Sequence, residues 1–181
     1  MHYDEQRYAQ QSPYTPTIPS LINVACEFIA AEEGFRDTPY HCSEGYPTIG
    51  YGQRIGKKNQ SLTNFKFTLP EPAARAWLKH GIIQRLNELD SYSSLAAVFM
   101  EQNIPRQVVL LSMAYQLGVK GLSLFKNMLA SLSIGDYVMA AEHALDSRWA
   151  KQTPERAQHH AHILQTGKLD GTGGVMDGQK N

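Results

Sequence analysis

Cysteine is nearly absent from this chain: two residues, Cys26 and Cys42, in 181. Two thiols do not make a disulfide framework, so the fold rests on its core and a reducing compartment is the expectation. Net charge is absent too, since 17 Lys and Arg balance 17 Asp and Glu. That balance leaves no electrostatic footprint for nucleic acid, and the densest basic stretch, Arg54 to Lys58, is short enough to be a solvated hairpin tip. No run approaches the ~20 apolar residues of a membrane-spanning helix, so no membrane insertion is expected. The polar start from Met1 to Ser12 lacks the apolar centre of a secretory leader. No internal repeat appears, which excludes solenoid architectures. What is present is 42% hydrophobic residues, enough to bury the core of one domain or two small lobes.

Residues 1–19 carry Tyr3, Tyr8, Tyr14 and three prolines amid glutamines, and read as an extended arm. Leu21-Ile22, Val24-Ala25 and Phe28-Ile29 then recur at helical spacing up to Glu33, with Ser20 as N-cap and Gly34 just past the end. From Tyr46 to Ile55 β-formers alternate with glycines, the pattern of a short twisted hairpin. Gly56 to Asn64 is a polar connection. Thr68-Leu69-Pro70-Glu71 reads as a capping box opening a long helix through Ala74, Trp77, Leu78, Ile82, Leu86 and Leu89. Further helices are expected over Ser94–Glu101, from Pro105 through Val108–Leu117 to a stop before Gly118, and over Leu122–Leu132, Gly135–Asp146 and Pro154–Gln165. The glycine-rich tail, 167–181, is expected to be disordered. The fold class is α+β and mostly α, with a hairpin lobe over 20–68, a linking helix over 69–90 and a helical lobe over 91–166.

Glu33 is the first candidate for chemistry. It sits at a helix C-terminus, where the negative end of the dipole favours a protonated carboxyl, as a general acid requires. The hairpin that follows carries Cys42 and Thr48 and could face the helix end across a cleft. Glu32 is its neighbour, but adjacent helical positions diverge by about 100°. Asp37 and Glu44 are alternative carboxylates and otherwise solvated turn residues.

The run Glu33-Gly34-Phe35-Arg36, the turn Glu44-Gly45-Tyr46, Thr48-Ile49-Gly50 and Gly52 resemble the catalytic segment of the phage-type muramidases, the group of the T-even phage lysozyme (glycoside hydrolase family 24). Eight residues separate Glu33 from Cys42 and five separate Cys42 from Thr48, the family's Glu, Asp-or-Cys, Thr spacing. A second block agrees: Met113, Gln116-Leu117-Gly118, Phe125, Asn127 and the run from Ser147 to Ala157. The likeness covers roughly residues 20 to 170 and implies a lysozyme-like fold.

The resemblance implies roles. Glu33 matches the acid that protonates the leaving glycosidic oxygen, Thr48 a hydroxyl that holds the attacking water, and Arg156 the arginine that orients the acid. Tyr115 falls at an aromatic lining the cleft, Gln116 at a buried cleft glutamine, and His143 at a sugar-contacting asparagine. Arg54 and Met128 replace other cleft residues. Cys42 stands where the best-known member has aspartate, and the family itself uses this variant. A thiol has an ordinary pKa of ~8.5, so it needs lowering to serve as a base at neutral pH. Cleavage of the β-1,4 bond between N-acetylmuramic acid and N-acetylglucosamine is implied, with inversion and without a cofactor. The expected partner is the peptidoglycan strand, met by a monomer.

A chain made in a host cytoplasm would act in the periplasm or cell wall, released through a holin as a phage endolysin. The alternatives are a secreted antibacterial effector with an immunity or inhibitor protein, and a lytic transglycosylase, which needs only one acid. His159, His160 and His162 offer too few ligands for a metal site, and none is expected. His143, Asp146 and Ser147 have the letters of a serine hydrolase but no nucleophile elbow.

Overall fold

The computed structural model of the chain describes residues 18–169. Helix α1 (Ile18–Glu33) opens it. Of the expected arm, residues 1–17 lie outside the described part, and Ile18 and Pro19 are already helical. Ser20 therefore lies inside the first turn rather than capping it, because a proline fits among the first residues of a helix, whose N–H groups have no intrahelical partner. Leu21, Ile22, Ala25, Ile29 and Ala30 form the buried face of α1. Gly34, at φ 66, ends the helix and bonds back to the Ala30 carbonyl at 3.1 Å.

The chain then forms a three-stranded antiparallel sheet in the order β1 (Arg36–His41), β2 (Pro47–Gly50), β3 (Gln53–Arg54). The β2–β3 pair is the expected hairpin, with Thr48 opposite Arg54 and Ile49 opposite Gln53. Strand β1 was not expected, since Arg-Asp-Thr-Pro-Tyr-His has little strand character. It is an exposed edge, where Pro39 is tolerated, and its register with β2 shifts between Arg36 and Tyr40. All four residues of β2 are buried.

After a 3-10 turn at Leu62–Asn64 comes α2 (Glu71–Leu89). The expected capping box does not form. Pro70 takes the cap position with no side-chain bond, and Thr68 lies outside the helix. The Leu69 N–H is used by the Asp37 carbonyl at 2.8 Å, and Glu71 instead binds the Tyr51 hydroxyl at 2.7 Å. Ala74, Leu78, Ile82, Leu86 and Leu89 form the buried stripe. Trp77 is one position off it and stays 42% exposed.

Helices α3 (Ser93–Glu101), α4 (Ile104–Ser123), α5 (Lys126–Ser133), α6 (Tyr137–Leu145), α7 (Arg148–Gln152) and α8 (Pro154–Thr166) complete the fold. Val108 to Ala114 are all buried, so α4 is the centre against which α1, α2 and α8 pack. Emptying such a site, Leu110→Ala for example, costs about 2–5 kcal/mol. The expected stop at Gly118 is a break at φ 76, after which α4 resumes. The helix expected over Leu122–Leu132 is divided, because Leu122 and Ser123 close α4 and the chain turns at Leu124-Phe125. Helix α7 is a single short piece, N-capped by Ser147, that apolar periodicity did not reveal. Among the described residues no single helix is long and apolar enough to cross a membrane.

Helix α8 is anchored at its end. Arg106 donates from Nε to the Leu164 carbonyl at 2.7 Å and from Nη2 to that of Gln165 at 3.2 Å, and Asn103 bonds the Gly167 carbonyl at 3.0 Å. A cation on these orphan carbonyls complements the helix dipole. Of the tail expected to be disordered from residue 167, the described part is ordered, since Gly167 caps α8 and Leu169 packs on the core, and 170–181 lie outside the described residues.

Candidate active site

Glu33 ends α1, and Arg156 enters from the first turn of α8. Arg156 donates from Nη1 to Glu33 Oε1 at 2.8 Å and from Nη2 to the Glu32 carbonyl at 3.1 Å. The second bond holds the guanidinium on the last turn of α1, so the first has a defined direction. The other carboxylate oxygen faces the hairpin turn. Gly52 sits there at φ 83, and a Cβ at this position would lie 3.2 Å from Glu33 Oε2.

The hairpin contributes Thr48 and Cys42. Thr48 lies in the central strand, only 2% exposed, and donates its hydroxyl proton to the Tyr46 carbonyl at 2.8 Å. Its lone pairs therefore remain to accept a bond, from water for instance. Cys42 follows β1 in a turn closed by bonds from Cys42 N to Tyr46 O at 3.0 Å and from Gly45 N to Cys42 O at 2.8 Å. Partial burial raises its thiol, but hydrogen bonds from the backbone at Tyr46 and Glu44 and from Thr48, with the Arg54 charge, outweigh burial and hold it below the ordinary value. Thr48 has one proton for two acceptors, the Tyr46 carbonyl and a Cys42 thiolate.

A cavity of about 590 Å³ brings Glu33, Cys42, Thr48, Arg54, Tyr115 and Gln116 together. Arg156 stands behind Glu33 rather than in the cavity wall. Arg54 pairs with Glu44 at 2.8 Å and covers the Tyr46 ring at 4.1 Å, so Glu44, one of the alternative carboxylates, is engaged at the cleft edge. Asp37, the other, is exposed and outside the cavity wall. His143 and Met128 line a second cavity of about 580 Å³ with Phe125 and Trp149, apart from Glu33. Gln116 is exposed rather than buried, and its Oε1 accepts from Trp149 Nε1 at 2.7 Å. Tyr115 ties α4 to the hairpin by donating to the Tyr51 carbonyl at 2.8 Å and accepting from Gln53 Nε2 at 3.3 Å. Burial and the Glu33 charge push its phenol far above the ordinary value, so it remains a neutral donor. The exposed Trp77, expected only as part of the long helix, also lines the first cavity.

Glu32, Ser112 and His160 were not recognised in the sequence as part of this region. Glu32 Oε1 meets His160 Nε2 at 2.6 Å, and Ser112 Oγ donates to Oε2 at 2.5 Å. Burial raises the Glu32 carboxyl, but the bonds from His160 and Ser112 and the Arg156 charge outweigh it and hold Glu32 below its ordinary value. Burial lowers His160, which is fully enclosed. Its Nδ1 has no hydrogen-bond partner, which suits a neutral ring with the proton on Nε2, since an unpaired lone pair costs less than an unpaired buried N–H. One signal was available: Arg156 and His160 are four apart on α8 and share a face. The histidine cluster is thus divided, with His160 inside and His159 stacked on Phe28 at 5.4 Å. Ser147 is used as a helix cap, accepting from Ala150 N at 3.0 Å and donating to the Ala144 carbonyl at 2.8 Å.

The phage lysozyme family model matches residues 30–161. The pre-baseplate central spike protein Gp5 of Enterobacteria phage T4 is similar at 29% identity over 163 residues, 81% of this chain and 28% of its own length. Two proteins of Dictyostelium discoideum are similar over nearly their whole length. Probable T4-type lysozyme 1 is 22% identical over 167 residues, 83% of this chain and 98% of its own, and probable T4-type lysozyme 2 is 24% identical over 166 residues, 82% and 98%. The chain therefore spans little more than a quarter of the spike protein but almost all of the two amoebal relatives.

Proposed function

The chain belongs to the phage lysozyme family of glycoside hydrolases, and we propose that it is a muramidase cleaving the β-1,4 bond between N-acetylmuramic acid and N-acetylglucosamine with inversion. The observation that carries this reading is Glu33 at the cleft, with one oxygen held by Arg156 at 2.8 Å and the other turned toward the hairpin. Protonated, Glu33 gives its proton to the leaving glycosidic oxygen as the C–O bond breaks. A water on the opposite face of the sugar is accepted by Thr48 and loses a proton toward Cys42 as its oxygen bonds to the anomeric carbon. A thiol held below its ordinary value supports the base role, because the thiolate is the accepting form.

Tyr115 supports the cleft from below by fixing α4 to the hairpin, and Arg54 and Trp77 offer it a cation and an exposed ring. In the biological role we favour, the enzyme lyses bacteria from within as a phage endolysin acting on peptidoglycan. Glu33→Gln removes the transferable proton and keeps the shape, so it should leave the folded chain intact and abolish turbidity loss with purified sacculi. Substantial residual lysis by folded Glu33→Gln would refute the assignment. Reducing sugar ends among the products, rather than anhydro-muramyl ends, would separate hydrolysis from transglycosylation.

A further inference from the structure

Two adjacent carboxylates, Glu32 and Glu33, lie within reach of one guanidinium, and the division between them is unequal. Arg156 bonds Glu33 Oε1 at 2.8 Å, whereas its Nε is 4.0 Å from Glu32 Oε2, beyond a hydrogen bond. A guanidinium fork matches a carboxylate in bidentate fashion, and the Glu32 side chain is the more buried of the two at 10% exposed against 21%. With its oxygens free, Glu32 would be the stronger competitor. Both oxygens are occupied, by His160 at 2.6 Å and by Ser112 at 2.5 Å.

We infer that His160 and Ser112 are positioning residues for the acid: by saturating Glu32 they keep Arg156 on Glu33. The inference rests on Glu33 being the acid. His160 is held in place for this task, with its ring against Trp149 at 5.4 Å and Phe28 at 5.7 Å. The ionisable groups facing this cluster are Glu33 at the end of α1, Arg156 and His159 on α8, and Glu32 and His160 themselves, with the phenols of Tyr115 on α4 and Tyr40 on β1 facing Glu33 across the cleft. Ser112 approaches from α4, so three helices converge on one carboxylate.

The test is kcat/KM against pH on purified sacculi for the native chain, His160→Leu, His160→Gln, Ser112→Ala and the double variant His160→Leu/Glu32→Gln. With Oε1 freed, Arg156 moves toward Glu32 and Glu33 loses its cation, which favours the protonated acid. His160→Leu should lower kcat/KM about tenfold and move its alkaline limb up by about one pH unit, as removal of a charge partner does. His160→Gln keeps a donor and should restore both. The double variant has no second carboxylate to capture Arg156, so its limb should return to the native position. Ser112→Ala should move the limb the same way by a smaller amount, and it serves if His160→Leu does not fold. A native limb in folded His160→Leu or Ser112→Ala, or a limb still displaced in the double variant, would overturn the inference. Glu33→Gln run alongside separates the cases: lysis surviving there defeats the muramidase reading itself.

Discussion

Arg156 and Glu33 are 123 positions apart in sequence and 2.8 Å apart in space. The pair joins the C-terminus of α1 to the N-terminus of α8, so the orientation of the candidate acid is set by how α8 is docked. The opposite wall is independent of it: Cys42 and Thr48 are placed by sheet pairing and by the Cys42–Tyr46 turn. Glu33 and the Cys42–Thr48 pair thus reach the cleft from separate elements, which suits the proposed inverting reaction, where water needs room between them.

Replacing Cys42 ranks the possible bases. A serine hydroxyl is a far weaker base than a thiolate, so Cys42→Ser should reduce kcat by about 10²–10⁴, the usual share of general acid–base catalysis. Cys42→Asp supplies a carboxylate of ordinary pKa about 3.9 and should retain more activity, with the acid limb of kcat/KM moved to lower pH. If Cys42→Ser and Cys42→Asp both matched the native rate, the thiol would be packing alone.

Gly52 combines a left-handed backbone, φ 83, with its position against Glu33. Gly52→Ala places a Cβ 3.2 Å from Glu33 Oε2 and adds backbone strain. We expect a loss of about 1–2 kcal/mol in stability from that conformation and a lysis rate reduced beyond what the lost folded fraction explains. Urea denaturation paired with turbidity assays reads both, and unchanged specific activity of the folded fraction would show that the Glu33 side chain yields freely.

Trp77 is 42% exposed on the cleft wall and off the buried stripe of α2, and it is expected to offer its ring to sugar. Trp77→Ala should raise KM about five- to tenfold, as loss of one aromatic contact does, with kcat and thermal stability nearly unchanged. Trp149 is 3% exposed and remains as a buried fluorophore, so a quench by chitooligosaccharides is expected in the native chain and should be lost in Trp77→Ala while the protein stays fluorescent. An undiminished quench in Trp77→Ala would place sugar contact elsewhere.

Acid should destabilise the chain in two stages. Burial holds His160 below its ordinary value, so the unfolded chain gains the proton first and stability begins to fall below about pH 6.5. Glu32 is also held below its ordinary value, so its contribution is present above about pH 4.5 and is lost as pH drops through its lowered folded value. Chemical denaturation from pH 8 to about 2.5 should show both falls in the native chain and only the lower one in His160→Gln. A flat profile down to pH 5 would mean that His160 is charged in the fold.

Much of this was legible in the sequence because it is local. The 3.6-residue spacing in α1, glycines at helix ends, and the Glu33-to-Thr48 spacing need only neighbours to be read. Strand β1 was missed because an edge strand buries little and shows no alternation. The Thr68 cap failed because the Leu69 amide was taken by Asp37, a contact 32 positions back in the chain. Glu32 was set aside by helix geometry that correctly turned it away from Glu33, and what lay on the other side, Ser112 and His160, is a tertiary fact. Gln116 and His143 were placed by resemblance, which gives positions along a chain but neither exposure nor which of two neighbouring cavities a side chain enters.

The 123-residue span between Glu33 and Arg156 also bears on when the protein becomes active. Contacts of such separation form late, since closing a long loop precedes any gain from it. Translation delivers Glu33 123 residues before Arg156, so a chain still being made between them holds Glu33 without its partner and α4 without α8 to cover it. The Glu33–Arg156 pair forms only once α8 has been made, and a product truncated before α8 is expected to be inert in the turbidity assay. Folding order itself thus delays the assembled pair until α8 has emerged from the ribosome.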